Sequence, residues 1–187
     1  MKQVVQSFKT GELVVKEVPV PLLQSRYVLV ENASSLISAG TERGTVKVAQ
    51  ASLLNKARQR PDLVKQVIQN FKKEGFKATF DKVKTKLDAP KALGYSTAGT
   101  VKASLDNNNK FKPGDRVACA GQDLASHAEV VAIPQNLVAL IPDEVSFEEA
   151  AFTTVGAIAL QGVRQTKPEI GENICVIGLG LIGQIAS

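Results

Sequence analysis

The residues best suited to chemistry in this chain are three glycines near its C-terminal end. Gly178, Gly180 and Gly183 are spaced G-x-G-x-x-G, directly after the β-branched apolar run 173–178 (NICVIG) and ahead of the apolar QIAS. A strand that enters such a turn and leaves as a helix uses each glycine differently. The first permits the tight turn, the second lets backbone approach a pyrophosphate, and the third lets helix and strand pack closely. With Leu179 and Leu181 supplying further backbone N–H groups, the expected ligand is a dinucleotide, NAD or NADP. The acidic residue that would hold its ribose belongs about 20 positions further on, beyond Ser187. Metal chemistry has far fewer donors. One histidine (His127) and two cysteines (Cys119 and Cys175) cannot build the usual four-ligand zinc site without carboxylates, and no pair among Glu42, His127 and Cys119 has ligand spacing. His127, next to AEVV, reads as a strand residue. Both cysteines alternate into apolar runs and read as buried, inert packing residues.

The elements that must position these groups are mostly strands. VVQSF, ELVVKEVPV and YVLVENASSLI, up to about Ile37, alternate as short antiparallel strands with turns at Thr10-Gly11 and the Pro19/Pro21 pair. Residues 98–142 repeat the style, with a polar turn over Asp106 to Asn109, Lys112-Pro113-Gly114-Asp115 before RVACAG, then HAEVVAIP and LVALIP. Short strands at this spacing predict a small barrel or sandwich. Between the two blocks the period turns helical. Leu63, Val64, Val67, Ile68 and Phe71 share one face of a helix opened by Pro61-Asp62 and stopped at Gly75, and Phe76, Phe80, Val83 and Leu87 mark another. After Pro142, Ser146 and Glu149 have capping-box spacing, and a small-residue helix follows over Thr153 to Arg164. A single βα unit cannot bury both faces of a parallel strand, so the sequence reads as the front part of a longer protein.

Composition bounds the partners. The chain has 187 residues, 44% hydrophobic and 22% charged, with a net charge of +5. That suits a packed core and argues against disorder. No stretch approaches the ~20 apolar residues of a membrane span, and MKQVVQSFKTGE lacks a signal-peptide core, so the expected setting is cytoplasmic. Residues 45–88 carry eleven Lys/Arg and four Asp/Glu, a local +7 that leaves the rest at −2. The alternatives for this charge are a solvated helix face, an anionic substrate, or an acidic face of a further domain. Its few aromatics fall on the apolar helix faces, which argues against nucleic acid.

The order ISAGTE (37–42), LGYSTAGTV (93–101), KPGDRVA (112–118), ASHAEVVAIP (125–134), IPDEVSFEEAAF (141–152) and VIGLGLIG (176–183) resembles the medium-chain dehydrogenase/reductase superfamily, the zinc-type alcohol dehydrogenase relatives. The helical insertion, with ASLLNKARQRPDLVKQVIQ inside it, is more narrowly similar to bi-domain oxidoreductases. The resemblance implies a mainly β fold with helices: a GroES-like β-barrel over 1–142 with a helical insertion at about 45–88, then over 143–187 the first βα unit of a Rossmann domain. It implies NAD(P)-linked hydride transfer on a small alcohol, polyol or carbonyl substrate, with a sugar or nucleotide-linked sugar among the options, completed by C-terminal domains and open to homo-oligomer assembly.

Carried over motif by motif, the zinc-ligand positions of the family fall on Ala39, Tyr95 and Thr154. None is a thiolate, imidazole or carboxylate, so no zinc is expected. The four-cysteine lobe of many relatives is missing as well, since Cys119 stands alone. Without a Lewis acid, the reaction needs a positioned proton donor or acceptor. The resemblance places Thr41 at a proton-relaying hydroxyl and Glu42 at a supporting acidic position. Tyr95 stands where a phenol can donate to a developing alkoxide, or where it merely fills the space left by a metal. Thr154 lies beside the expected cofactor site. A non-catalytic scaffold derived from the same fold is the competing reading.

Overall fold

The computed structural model describes residues 1–7, 11–50, 75, 90–105 and 110–187, the side chains of 45–50 excepted. The helices expected over 61–87 and the turn at 106–109 lie outside the described residues. The chain divides into two compact units: Met1–Gln3, Glu17–Ser38 and Gly94–Ser187 form one, and Val4–Lys16 with Ala39–Leu93 forms the other.

The first unit is a curled antiparallel sheet, a half-barrel. Its strands are β3 (Tyr27–Ser35), β5 (Ser96–Ser104), β6 (Arg116–Ala120), β7 (Val130–Pro134) and β8 (Val138–Leu140), in the order β7-β3-β5-β6-β8. Period-two alternation gives this sheet two buried faces. Val28, Val30, Val101, Val117, Cys119, Val131, Ile133 and Val138 enclose one core with Phe111 and Ala125. The intervening Ala98 and Ala118 face the other way, where Leu36, Ile141, Ala150, Ala151 and Val155 meet them. The second core is built largely of alanine, so the helices lie close to the sheet.

Those helices are α2 (Phe147–Ala150) and α3 (Thr153–Thr166), preceded in the chain by α1 (Ala39–Gln50). The expected capping box forms at α2: Ser146 Oγ accepts from the Glu149 N–H at 3.2 Å, and Glu149 Oε2 accepts from the Ser146 N–H at 2.9 Å. The Ser146 N–H and, secondarily, the Ser146 hydroxyl donate to the charged form and hold the Glu149 carboxyl below its ordinary value. Arg116 on β6 secures the approach to α2. Its guanidinium donates to the carbonyls of Pro142, Asp143 and Val145, and it stacks over the Phe147 ring at 4.7 Å. α3 ends at Lys167 in the left-handed conformation, φ 48°.

After α3 the run 173–180 pairs with no strand among the described residues, and a short helix α4 (Leu181–Ala186) packs on α3. A strand is a ladder, and this one has no neighbour to bond to. Cys175, expected to be buried, is therefore exposed, as are Ile174 and Ile177. His127 departs from expectation too: it sits on a bend ahead of β7 rather than in the strand. The second unit holds a three-stranded sheet in the order β2 (Leu13–Glu17), β1 (Lys2–Gln6), β4 (Lys91–Ala92), with Val5 opposite Ala92, and the helix α1. Among the described residues no helix is long and apolar enough to cross a membrane.

Candidate functional site

The three members of the glycine turn differ in conformation and surroundings. Gly178 has φ +97°, a left-handed conformation that side chains rarely adopt. A Cβ at Gly180 would meet nothing within 4 Å, so the backbone there is open to a ligand. A Cβ at Gly183 would overlap the Gly178 carbonyl, so only glycine lets α4 cross so close to the incoming chain. Between them Leu179 is exposed, while Leu181 is half-buried and packs against the alanine-rich core. Gln184, which sequence reasoning passed over, steadies the turn by donating its side-chain amide to the Leu179 carbonyl at 2.9 Å. This cradle fits a pyrophosphate: an open backbone face beside a turn no larger residue could make.

A second polar group lies where β5 begins. Ser96 is buried, and its Oγ lies 2.6 Å from the Ala151 carbonyl and 2.7 Å from Thr154 Oγ1. A hydroxyl has one proton and a carbonyl none, so Ser96 donates to Ala151 and the Thr154 hydroxyl donates to Ser96. Thr154 is thereby committed as a donor inward and keeps acceptor capacity outward, on the wall of an apolar groove of about 510 Å³. Ala118, Cys119, Leu137, Val138 and Ile158 share that wall. Tyr95 is half-buried and packs against the core beneath α2 and α3, and its carbonyl accepts from the Gly121 N–H at 3.0 Å.

Cys119 also faces inward, 2% exposed, directly across the β5–β6 ladder from Thr97. Burial pushes its thiol up to about 12, with the Thr97 hydroxyl pulling the other way. Thr97 Oγ1 has no oxygen or nitrogen partner among the described residues, which leaves sulfur as its weak one. Burial that disfavours the thiolate makes this thiol a poor nucleophile, and Cys119 packs in the core as the sequence led us to expect.

Thr41 and Glu42 belong to the other unit, in the first turn of α1, where a carboxylate meets the positive end of the helix dipole. Thr41 is exposed and Glu42 half-buried. Ala39 offers a methyl group, Tyr95 a phenol and Thr154 a hydroxyl already committed to Ser96, a donor set that does not fit zinc. No group of three or more His, Cys, Asp or Glu suited to a metal occurs among the described residues.

No family model matches the chain. Its curated relatives include sorbitol dehydrogenase of Bacillus subtilis, 28% identical over 127 residues, which covers 54% of this chain and 36% of that protein. Among solved structures, alcohol dehydrogenase TADH from Thermus sp. ATN1 superposes with a TM-score of 0.68 at 19% identity, over 100% of this chain and 53% of that one. Escherichia coli quinone oxidoreductase complexed with NADPH gives 0.61 at 18% identity, over 89% and 41%. The last two likenesses speak to fold alone. The chain spans about a third of the length of the curated relative and about half of the solved ones. The chain is thus similar in sequence to zinc-type alcohol dehydrogenases and quinone oxidoreductases, and its half-barrel has the GroES-like fold of the medium-chain dehydrogenase/reductase superfamily.

Proposed function

We propose that the chain is the opening part of an NAD(P)-dependent oxidoreductase that interconverts an alcohol or polyol with its carbonyl compound without a catalytic zinc. Residues 1–142 would form the substrate-holding domain and 143–187 the start of the dinucleotide-binding one. The observation that carries the reading is the glycine turn, in which Gly178 makes the bend, Gly180 stays open and Gly183 admits the helix. When bound, the dinucleotide supplies the hydride acceptor or donor. The backbone of Gly178, Leu179, Gly180, Leu181 and Gly183 cradles its pyrophosphate, and Thr154 offers an acceptor oxygen toward the cofactor because its own proton goes to Ser96. Tyr95 trades a proton with the substrate oxygen, and the family resemblance assigns Thr41 the part of a relaying hydroxyl and Glu42 that of a supporting carboxylate. Likeness to a sorbitol dehydrogenase favours a polyol substrate.

The test is turnover of sorbitol and a panel of simple alcohols by the native protein with NAD and with NADP, together with metal analysis. Turnover without stoichiometric zinc is expected, and Tyr95→Phe should lower it by roughly 10²–10⁴-fold, the usual worth of a general acid or base. Absence of turnover with every pair would sink the enzyme reading in favour of a scaffold. About one zinc per chain after chelator washing would overturn the zinc-free mechanism, and near-normal turnover of Tyr95→Phe would assign that ring to packing.

A further inference from the structure

A trans peptide group sends its carbonyl and its N–H in opposite directions, so a bond that holds one of them aims the other. In the glycine turn this bears on the two peptide groups that flank Gly180. The carbonyl of the first, that of Leu179, accepts from Gln184 Nε2 at 2.9 Å, five positions along the chain. The carbonyl of the second, that of Gly180 itself, accepts from the backbone N–H of the same Gln184, also at 2.9 Å. One residue thus takes both carbonyls, one with its side chain and one with its backbone.

Both peptides are trans, so the N–H of Gly180 and the N–H of Leu181 leave the turn on the side away from their bonded carbonyls. Neither N–H finds an acceptor among the described residues. The space at Gly180 is open, with nothing within 4 Å of where a Cβ would stand. On the other flank the turn has no slack, because Gly183 lies against the Gly178 carbonyl, too close for any side chain.

Gly180 could not keep this orientation unaided. A residue without a Cβ lets a ligand come close to the backbone, but it is also the residue freest to rotate. A clamp from Gln184 restores what the glycine gives up, and a donor oriented before its ligand arrives spares the ordering cost on binding.

We propose that Gln184 is a positioning residue for the dinucleotide: by holding the Leu179 and Gly180 carbonyls it aims the Gly180 and Leu181 N–H groups at an oxygen of the cofactor's pyrophosphate. The inference rests on the dinucleotide reading above and deepens it. No bond is made or broken at this residue, so Gln184 acts on cofactor affinity and leaves hydride transfer untouched.

The variant is Gln184→Met, close in size and helix propensity but with no side-chain donor; its backbone N–H remains, so only the Leu179 carbonyl is released. Calorimetric titration of native protein and variant with ADP-ribose, which carries the pyrophosphate but no nicotinamide, should show binding weakened roughly 3–10-fold in the variant, the usual worth of one hydrogen bond. In protein labelled with ¹⁵N-glycine, the Gly180 amide signal, assigned by its loss in Gly180→Ala, should move on adding ADP-ribose, and move less in Gln184→Met. In turnover the KM for NAD(P) should rise by the same factor as the ADP-ribose dissociation constant, with kcat, the KM for the alcohol and the urea midpoint unchanged. Equal affinity of the two proteins for ADP-ribose would overturn the proposal. So would a fall in kcat and in the urea midpoint together, the mark of a merely structural side chain. A wild-type protein that binds neither ADP-ribose nor NAD(P) would instead mark failure of the dinucleotide reading, and the proposal would fall with it.

Discussion

Raising the pH should unfold this protein through Cys119. The thiol lies in the core between β5 and β6, and burial raises it from an ordinary 9.0 to about 12. Folding therefore favours the protonated form. The stabilisation is complete below pH 9 and is lost as pH climbs from 9 toward 12, where the unfolded chain has released a proton that the folded chain retains. Each pH unit in that window is worth ~1.4 kcal/mol, so stability at pH 10 should lie ~1.4 kcal/mol below its neutral value from this group alone, approaching ~4 kcal/mol at pH 12. Lysines and tyrosines titrate in the same range, so the measurement is a difference. Urea unfolding of wild type and Cys119→Ala is compared at pH 7, 9 and 10. The variant loses a fixed amount of packing at every pH but lacks the thiol's slope, so the gap between the two should narrow by ~1.4 kcal/mol at pH 10. A gap constant from pH 7 to 10 would show that Cys119 ionises as freely in the fold as outside it, and that water reaches this core.

Two further expectations concern the helices against the sheet. Ser96→Ala removes the acceptor of the Thr154 hydroxyl and the donor to the Ala151 carbonyl, and should cost about 1–3 kcal/mol in urea unfolding; an unchanged midpoint would show that water replaces both bonds. Ser146→Ala breaks the capping box and should cost about 1 kcal/mol at neutral pH. Because the box holds Glu149 below its ordinary value, the carboxylate's share is full above that value and disappears as pH falls through the folded-state one, so the gap between wild type and variant should narrow in acid without closing, the Ser146 Oγ bond to the Glu149 N–H being independent of pH; a thermal-melt difference equal at neutral and acid pH would refute this.

How far these features were legible depended on whether their cause was local. Strand alternation marked β3, β5, β6 and β7 because one residue in two had to enter a core. The capping box was readable because its two partners are three positions apart. Cys175 was misread because its run of β-branched residues looks buried, yet burial belongs to neighbouring strands rather than to the run. His127 was set down as a strand residue for a related reason. Its seat is made by Ser35, Asn32 and Gly94, about 30 to 95 positions away, and only the antiparallel pairing of β3 brings them together. The commitment of the Thr154 proton to Ser96 was equally invisible, since it depends on how α3 lies on the sheet.

Arg116 decides where the first unit can bend. Its planar, charged fork grips three carbonyls between Pro142 and Val145 and lies over Phe147. Lysine could not reproduce this, having a single point of attachment. The stretch from β6 to the first turn of α2 therefore behaves as a splice rather than a joint. Although Pro142 resembles a punctuation mark in the sequence, a swivel there would have to tear several charged bonds at once. Movement that opens or closes a cleft must find its pivot further along the chain.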